Sequence, residues 1–397
     1  MTDAGTLAKL RALLAAIAEN PFQRERLAGV GEIANVADFI ARVPFTTKAD
    51  IIADFAAHPP YGSNLTFPRA TYTHFCQTSG TTAQPLVILD TAESWDWMLG
   101  NWAHIYRAGG IAPGAVVYFA FSFGPFLGFW TAFEGAAKYG CLCIPGGGLS
   151  SAARLRAIAE NRAKVLCCTP TYALHLAEVA AAERLPLPDC VRKIIVAGEP
   201  GGSLSEVRKR ISAAWHGAEV LDHYGMTEVG PVAFQRTGEA DVLRILEDRY
   251  FAEVVNPQSL QPVAVGETGE LVLTPFGRTA WPLLRYRTGD LVRRGADNLD
   301  GGILGRADDM LVIRGVNIYP SAVDAVVRSI AEVAEYRVTV ARRGEMHELS
   351  VAIETADDTA ASRLERALTA AFTLRIPVTR VPSLPRFELK ARRWQRE

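Results

Sequence analysis

The sequence predicts an α/β protein with a large N-terminal region of parallel-type sheets flanked by helices, a β-rich subdomain, and a small α+β C-terminal domain. Three textures predict it. Between about residues 115 and 230, short apolar runs alternate with longer helical ones. From about 240 to 295 the strand-like runs are separated by turns rich in Gly and Pro. Beyond "GRADD" at 305–309, strand and helix patterns close a unit of about 90 residues. The 397 residues exceed one ordinary domain, and the expected division is 1–305 and 306–397.

Taken in chain order, "MTDAGTLAKLRALLAAIAEN" reads as an amphipathic helix interrupted by Lys9, Arg11 and Glu19, without the apolar core and cleavage site of a signal peptide. The strand candidates that follow are "AVVYFAF", "CLCIP", "AKVLCCT", "RKIIVAG" and "AEVLDHYG". Between them lie "FWTAFEGAAKYG", "SSAARLRAIAENR", "YALHLAEVAAAERL" and "SLSEVRKRISAAWHG", each long enough for a helix. Strands this apolar need cover on both faces, which argues for a parallel sheet. In such a sheet ligands bind beyond the carboxyl ends of the strands. "RYFAEVVNP" and "GELVLTP" supply the β-rich part. The C-terminal unit reads as strand "MLVIRG", helix "SAVDAVVRSIAE", strands "YRVTVARR" and "ELSVAIE", and helix "ASRLERALTAAF".

Composition narrows the partners. Lys+Arg number 42 and Asp+Glu 43, a net charge of -1, so nothing electrostatic points to nucleic acid or an anionic membrane. No uncharged run approaches the ~18 residues a bilayer span needs. The six cysteines sit mostly in apolar runs and lack zinc-binding spacing, which suggests reduced, buried thiols and a cytoplasmic protein.

Five segments carry candidate chemistry. In "FCQTSGTTAQPLVI", residues 75–88, Thr78, Ser79, Gly80, Thr81 and Thr82 gather four hydroxyls and one glycine between apolar runs. Such a loop can wrap phosphate oxygens or can simply turn, and it lacks the GxxxxGK[ST] spacing of a P-loop. "VAGEPGG" ends a strand, with Gly198, Glu199 and Pro200 placed either to contact a base or to make an ordinary turn. "DHYGMTEVG" offers the ring of Tyr224, the Gly225 turn, the Thr227 hydroxyl and the Glu228 carboxylate, a hard ligand for magnesium. A helix N-terminus, capped by Thr227 with Glu228 in its first turn, is the competing reading. "RYRTGDL" sets Asp290 after a glycine, as a grip on vicinal ribose hydroxyls or as a turn residue. Arg285 and Arg287 read as solvated charges or phosphate contacts. "PRFELKARRW" places Lys390 among arginines, which in isolation reads as a solvated tail.

In their order these segments resemble the adenylate-forming superfamily of acyl-CoA synthetases, and in particular the phenylacetate–coenzyme A ligases. The resemblance runs from "ENPFQRERL" and "VPFTTKADI" through "GRADDMLVIRGVNIYPSAV" to "PRFELKARR". It implies ATP, Mg²⁺ and coenzyme A as reaction partners, and a two-step reaction through an acyl-adenylate. It implies that Thr78, Ser79, Gly80, Thr81 and Thr82 hold the β,γ-phosphates. Tyr224 and Gly225 would line the adenine site beside Gly198, Glu199 and Pro200. Glu228 would hold Mg²⁺ next to Thr227, Asp290 the ribose, and Arg306 the ribose–phosphate region. Lys390 would bridge carboxylate and phosphate, while the C-terminal domain swings about Asp308 to bring in the Gly315 loop. Phe123, Gly124 and Phe126 would line the pocket of a compact aromatic carboxylic acid, with Trp130 and Phe133 filling core.

The chain also departs from the family pattern. Ala83 and Gln84 stand where TSGTTGKP has Gly and Lys, which is expected to weaken ATP binding. Leu389 stands where the family has Gly before the lysine. The segments that carry a Cys/His cluster in some relatives have neither residue here, so no structural zinc is expected. Acyl transfer to an amine or a carrier-protein thiol, and a non-catalytic adenylate-binding protein, are the alternatives. A monomer or homodimer is expected.

Overall fold

The computed structural model describes residues 3–78, 85–199, 201–307, 311–313, 316–343, 346–385 and 393–396. Four helices open the chain: α1 (Asp3–Ala16), α2 (Pro21–Arg26), α3 (Val36–Arg42) and α4 (Lys48–Ala57). Their starts are written locally. Asn20 and Asn35 each accept a backbone N–H three residues on, Pro21 sits in the first turn of α2, and Thr47 and Asp50 form a capping box. Strands β1 (Tyr72–Gln77) and β2 (Val87–Thr91) then pair antiparallel, with Gln77 opposite Val87. Their connection carries the hydroxyl-rich loop.

A repeating unit follows: α5 (Ala92–Ala108), β3 (Val116–Phe119), α6 (Leu127–Tyr139), β4 (Leu142–Pro145), α7 (Ser151–Glu160), β5 (Val165–Cys168), α8 (Pro170–Ala182), β6 (Lys193–Val196) and α9 (Ser205–Ala214). It ends in β7 (Glu219–Met226) and β8 (Gly230–Phe234). The β-rich part contains β9 (Val242–Ile245), β10 (Tyr250–Val255), β11 (Thr268–Pro275), β12 (Tyr286–Arg294) and β13 (Leu299–Arg306). These are not detached from the parallel strands. Eleven strands form one sheet in the order β10-β11-β12-β13-β9-β8-β7-β6-β5-β3-β4. From β4 to β7 all pairings are parallel, and from β7 to β10 all are antiparallel, so β7 belongs to both regimes.

Alternation along the strands explains their apolar sequences. Val117, Phe119, Cys167 and Ile195 face the core beneath α5 and α6, while Tyr118, Leu166, Cys168 and Ile194 face the one beneath α7, α8 and α9. The cysteines are free, and burial holds the thiols of Cys76 and Cys143 up at about 12, so they behave as small apolar groups.

The C-terminal unit has β14 (Leu311–Ile313), β15 (Val316–Ile318), α10 (Pro320–Arg328), β16 (Val333–Arg343), β17 (Met346–Thr355), α11 (Ala360–Phe372), β18 (Val378–Val381) and β19 (Trp394–Arg396). A β16–β17 hairpin at its centre is flanked by β18 and β19 in parallel, and α10 and α11 cover it with a separate apolar core. Among the described residues no helix is long and apolar enough to cross a membrane.

Trp102 on α5 fixes how α5, α6 and β7 meet. A Cβ on Gly135 of α6 would lie 2.5 Å from the Trp102 Cβ, and the indole stacks on His223 of β7 at 4.3 Å between centroids. Gly135→Ala should therefore destabilise the protein by about 1–3 kcal/mol in denaturant unfolding, because overpacking outweighs the ~1 kcal/mol gain in helix propensity. A stabilised variant would contradict that packing. His223 is 7% exposed, neither ring nitrogen has a protein partner, and burial lowers its pKa to about 3 from 6.5. A depressed histidine pKa contributes stability fully present above the unfolded value and lost as pH falls toward the folded one. Between pH 6.5 and 4.5 we expect His223→Phe to remove about 1.4 kcal/mol of stability loss per pH unit. Parallel pH profiles for the two proteins would contradict this.

Candidate active site

The carboxyl end of β7 is where the sequence candidates come together. β7 leaves the parallel sheet, turns at Thr227 and Glu228, and returns as β8, with Met226 opposite Gly230 and a bulge at Tyr224 and Gly225. Only glycine is accommodated at 225, since a Cβ would come within 2.7 Å of the Gly230 carbonyl oxygen. Thr227 and Glu228 thus occupy a strand-to-strand turn, and the helix-capping alternative does not hold. Glu228 is 6% exposed, and its charge acts on the nearby Tyr286 phenol. Burial first, then the Glu228 charge, keeps Tyr286 protonated and able to donate.

Asp290 faces this turn from β12. The Tyr224 hydroxyl donates to Asp290 Oδ2 at 2.6 Å, and Arg306 Nη1 donates to Asp290 Oδ1 at 3.3 Å and to the Thr288 carbonyl at 3.2 Å. Asp290 and Arg306 lie directly opposite in the β12–β13 register. The backbone bends at Gly289, whose φ is 75°, and a Cβ there would lie 2.5 Å from Arg306 Nη2. Asp290 is therefore a kinked strand residue, held by its own N–H on the Thr288 hydroxyl at 3.0 Å. Burial, then the Asp290 charge, pushes the Tyr224 pKa well above the ordinary phenol value, so its proton stays on the donated bond.

The remaining segments are placed around these two. Gly198 follows β6 with a φ of 91°. The Glu199 carboxylate accepts from Thr171 N at 2.7 Å and from the Thr171 hydroxyl, at the N-terminus of α8. Thr78 is buried at the neck of its loop, where its hydroxyl accepts Leu86 N and its N–H donates to Leu86 O, both at 3.0 Å. Ser79, Gly80, Thr81, Thr82, Pro200, Asp308, Gly315 and Lys390 lie outside the described residues. The chain on either side of 386–392 is anchored: Leu384 N donates to Glu354 Oε2 at 2.7 Å, and Arg393 pairs with Glu335 at 2.6 and 3.0 Å. Arg393 and Thr171 line one cleft between the two parts of the chain, and Thr171 is the residue that holds Glu199.

An aromatic cluster follows β3. Phe123 has a φ of 50° and meets Trp130 and Phe133 edge-on at 5.2 and 5.5 Å. Phe126 packs on Phe129 at 5.7 Å and sits against Gly124, whose added Cβ would be 3.0 Å from the Phe126 ring. Phe133 joins the core as expected, but Trp130 does not. It is 38% exposed, with its indole N–H donated to the Gly124 carbonyl at 3.0 Å, so it clasps the turn from outside.

Sequence reasoning missed several supporting side chains. Arg278, fully buried, bonds Asp90 and the carbonyls of Thr227 and Glu228. A charge inside the apolar run "TPFGRTAWPLL" was the available signal. Arg285 and Arg287 are neither solvated nor free for phosphate: they pair with Glu253 at 2.7 Å and Glu270 at 2.5 Å.

The donor set can hold a magnesium nucleotide. Glu228 supplies one hard carboxylate of the kind Mg²⁺ uses when phosphate oxygens and water complete its shell. Asp290 supplies a second carboxylate, held by Tyr224 and Arg306, of the acceptor type that vicinal hydroxyls need.

Comparison with known proteins shows the family. A family model described as AMP-binding enzyme matches residues 67–275, and one for the AMP-binding enzyme C-terminal domain matches 315–395. The chain is 33% identical over 366 residues to phenylacetate-coenzyme A ligase of Thermus thermophilus, covering 88% of this chain and 80% of that protein. The enzyme of the same name from Escherichia coli K12 is 34% identical over 79% of this chain and 72% of its own length. The crystal structure of 2-hydroxyisobutyryl-CoA ligase in the postadenylation state, with 2-HIB-AMP, overlays with a TM-score of 0.92 at 30% identity, covering 100% of this chain and 89% of that one. The same ligase in the thioesterification state, with 2-HIB-AMP and CoA, overlays at 0.74. The chain belongs to the AMP-binding, adenylate-forming enzyme family.

Proposed function

We propose that this protein is an ATP-dependent carboxylic acid–coenzyme A ligase acting on a compact aromatic acid. The observation that carries the reading is the Tyr224–Asp290–Arg306 cluster set opposite the buried Glu228 turn, a ribose grip facing a carboxylate at the carboxyl end of a parallel sheet.

In the first half-reaction a carboxylate oxygen of the acid attacks the ATP α-phosphorus. The bond from that phosphorus to the bridging oxygen breaks, and pyrophosphate leaves. In the second, the thiol sulfur of coenzyme A attacks the acyl carbon, AMP departs with the electron pair of the broken C–O bond, and the thiol proton passes to solvent. No protein nucleophile is needed, so the residues act by placement and by offsetting charge. Asp290 orients the ribose and Tyr224 the adenine side, with Gly225, Gly198, Glu199 and Pro200 beside it. Arg306 reaches toward the ribose–phosphate. Thr78, Ser79, Gly80, Thr81 and Thr82 enclose the outer phosphates. Glu228, beside Thr227, would hold Mg²⁺, which would offset phosphate charge when bound. Lys390 bridges the attacking carboxylate and the phosphate. Asp308 is the hinge about which the unit from 306 to 397 turns, and Gly315 belongs to the loop presented for thioester formation.

The rings of Phe123 and Phe126 beside Gly124 and the similarity to phenylacetate ligases support an aromatic acid. A short branched hydroxy acid is the second reading, favoured by the overlay on 2-hydroxyisobutyryl-CoA ligase.

Pyrophosphate release with Mg·ATP over a panel spanning phenylacetate, benzoate and 2-hydroxyisobutyrate, with and without coenzyme A, tests both. We expect release with an aryl acid, thioester only when coenzyme A is present, and at least a hundredfold (~10²) loss of kcat in Lys390→Ala. Release without thioester would overturn the acceptor, and preference for the hydroxy acid the substrate class. In Asp290→Asn, the KM for ATP should rise about tenfold, from weakened charge-assisted bonds to ribose. An unchanged KM would remove Asp290 from the ribose site.

A further inference from the structure

The loop between β11 and β12 carries the most buried arginine among the described residues, Arg278, at 0% exposure. Its Nε and Nη2 donate to the two carboxylate oxygens of Asp90 at 2.8 and 2.5 Å. Its Nη1 donates to the carbonyl oxygens of Thr227 at 2.7 Å and of Glu228 at 2.9 Å. Asp90, also 0% exposed, sits on β2, the strand leaving the hydroxyl-rich loop, where it pairs in register with His74. One guanidinium therefore ties the hairpin of that loop to the turn that carries Glu228. The partners are 188 residues from Arg278 on one side and 50 or 51 on the other.

Stability alone does not account for this pair. Moving both charges out of water carries a desolvation penalty that their attraction must offset, and apolar side chains of the same volume often serve a core equally well. The loop is also held without Arg278. Ala280 N donates to the Ser94 hydroxyl at 3.1 Å, its carbonyl accepts the Tyr72 hydroxyl at 2.7 Å, and a Cβ on Gly277 would strike the Trp97 indole. What the guanidinium adds is geometry. Its planar fork fixes the two turn carbonyls relative to the carboxylate of Asp90, which a lysine ammonium, lacking the fork, would not.

We propose that Arg278 is a positioning residue for the adenylation half-reaction: through Asp90 it holds the Thr227–Glu228 turn in register with the phosphate-loop hairpin. This rests on the reading of Glu228 as the carboxylate on the magnesium side of the nucleotide. Arg278 touches no substrate. It sets where Glu228 stands when the nucleotide arrives.

The test compares the wild type with Arg278→Lys, which keeps the buried charge balance, with the double variant Arg278→Met/Asp90→Asn, which removes both charges, and with Glu228→Gln. Each is first checked for folding by thermal unfolding. Amide hydrogen exchange of the segment 226–230 is then measured in the nucleotide-free protein, alongside kcat and KM for ATP in pyrophosphate release. We expect exchange at 226–230 to speed up about tenfold in both Arg278 variants, while β6 exchanges as in the wild type. We expect kcat to fall between about tenfold and a hundredfold, as for a displacement of a reacting group by about an ångström, with KM for ATP changing less. Should Arg278→Lys fail to fold, the uncharged double variant carries the test. Unchanged exchange and kcat in a folded variant, or a loss confined to thermal stability, would overturn the proposal. Wild-type protein with no acid-dependent release would instead sink the ligase reading. An active wild type indifferent to Glu228→Gln would sink the role of Glu228.

Discussion

The Tyr224–Asp290 hydrogen bond sets the shape on which the site depends. β7 and β12 are four strand spacings apart in the sheet order, about 19 Å if the sheet were flat. A 2.6 Å bond between them can form only if the antiparallel half curls back over the end of β7. The devices for that curl are visible: a bulge at Tyr224–Gly225, register shifts after Leu291, and the Gly289 bend beneath Arg306. The curl brings Asp290 of β12 over the carboxyl end of β7, where the turn that carries Glu228 begins.

Much of the surrounding structure keeps that curl in place. Arg285 grips Glu253 with both arms while its guanidinium lies 3.9 Å from the Phe45 ring centroid, and Arg287 holds Glu270. Glu270 Oε1 in turn accepts Gly289 N at 3.1 Å, so this pair reaches the bend next to Asp290. On the other side of the sheet end, Glu199 ties the β6 loop to α8, and Arg393 brings the C-terminal unit against the same helix. Arg285–Glu253, Arg287–Glu270 and Arg393–Glu335 are buried or half-buried charge pairs, whose desolvation offsets much of their attraction, so their main contribution is geometric.

Local signals were legible in the sequence. The strands β3 to β7 lie within two residues, at either end, of the apolar runs that predicted them, because a strand covered on both faces needs little else to announce it. The parallel sheet, the β-rich part and the C-terminal α+β unit all follow from such runs. Side-chain partnerships were not legible, because they join residues far apart in the chain. Asp90 and Arg278 are 188 residues apart, and nothing in either neighbourhood names the other. Thr227–Glu228 suits a helix start in composition, and only the Gly225 bulge and the return of β8 make it a strand turn. Trp130 looks like core filler in an aromatic run, yet α6 turns it outward, where its N–H finds the Gly124 carbonyl.

If the curled sheet end forms one adenylate site with Asp290 on the ribose, a crystal structure with a non-hydrolysable acyl-adenylate analogue should show it. Both ribose hydroxyls should then lie within hydrogen-bond reach of the Asp290 carboxylate, with the acyl group directed toward Phe123. An analogue seated elsewhere, or with its ribose turned away from Asp290, would contradict it.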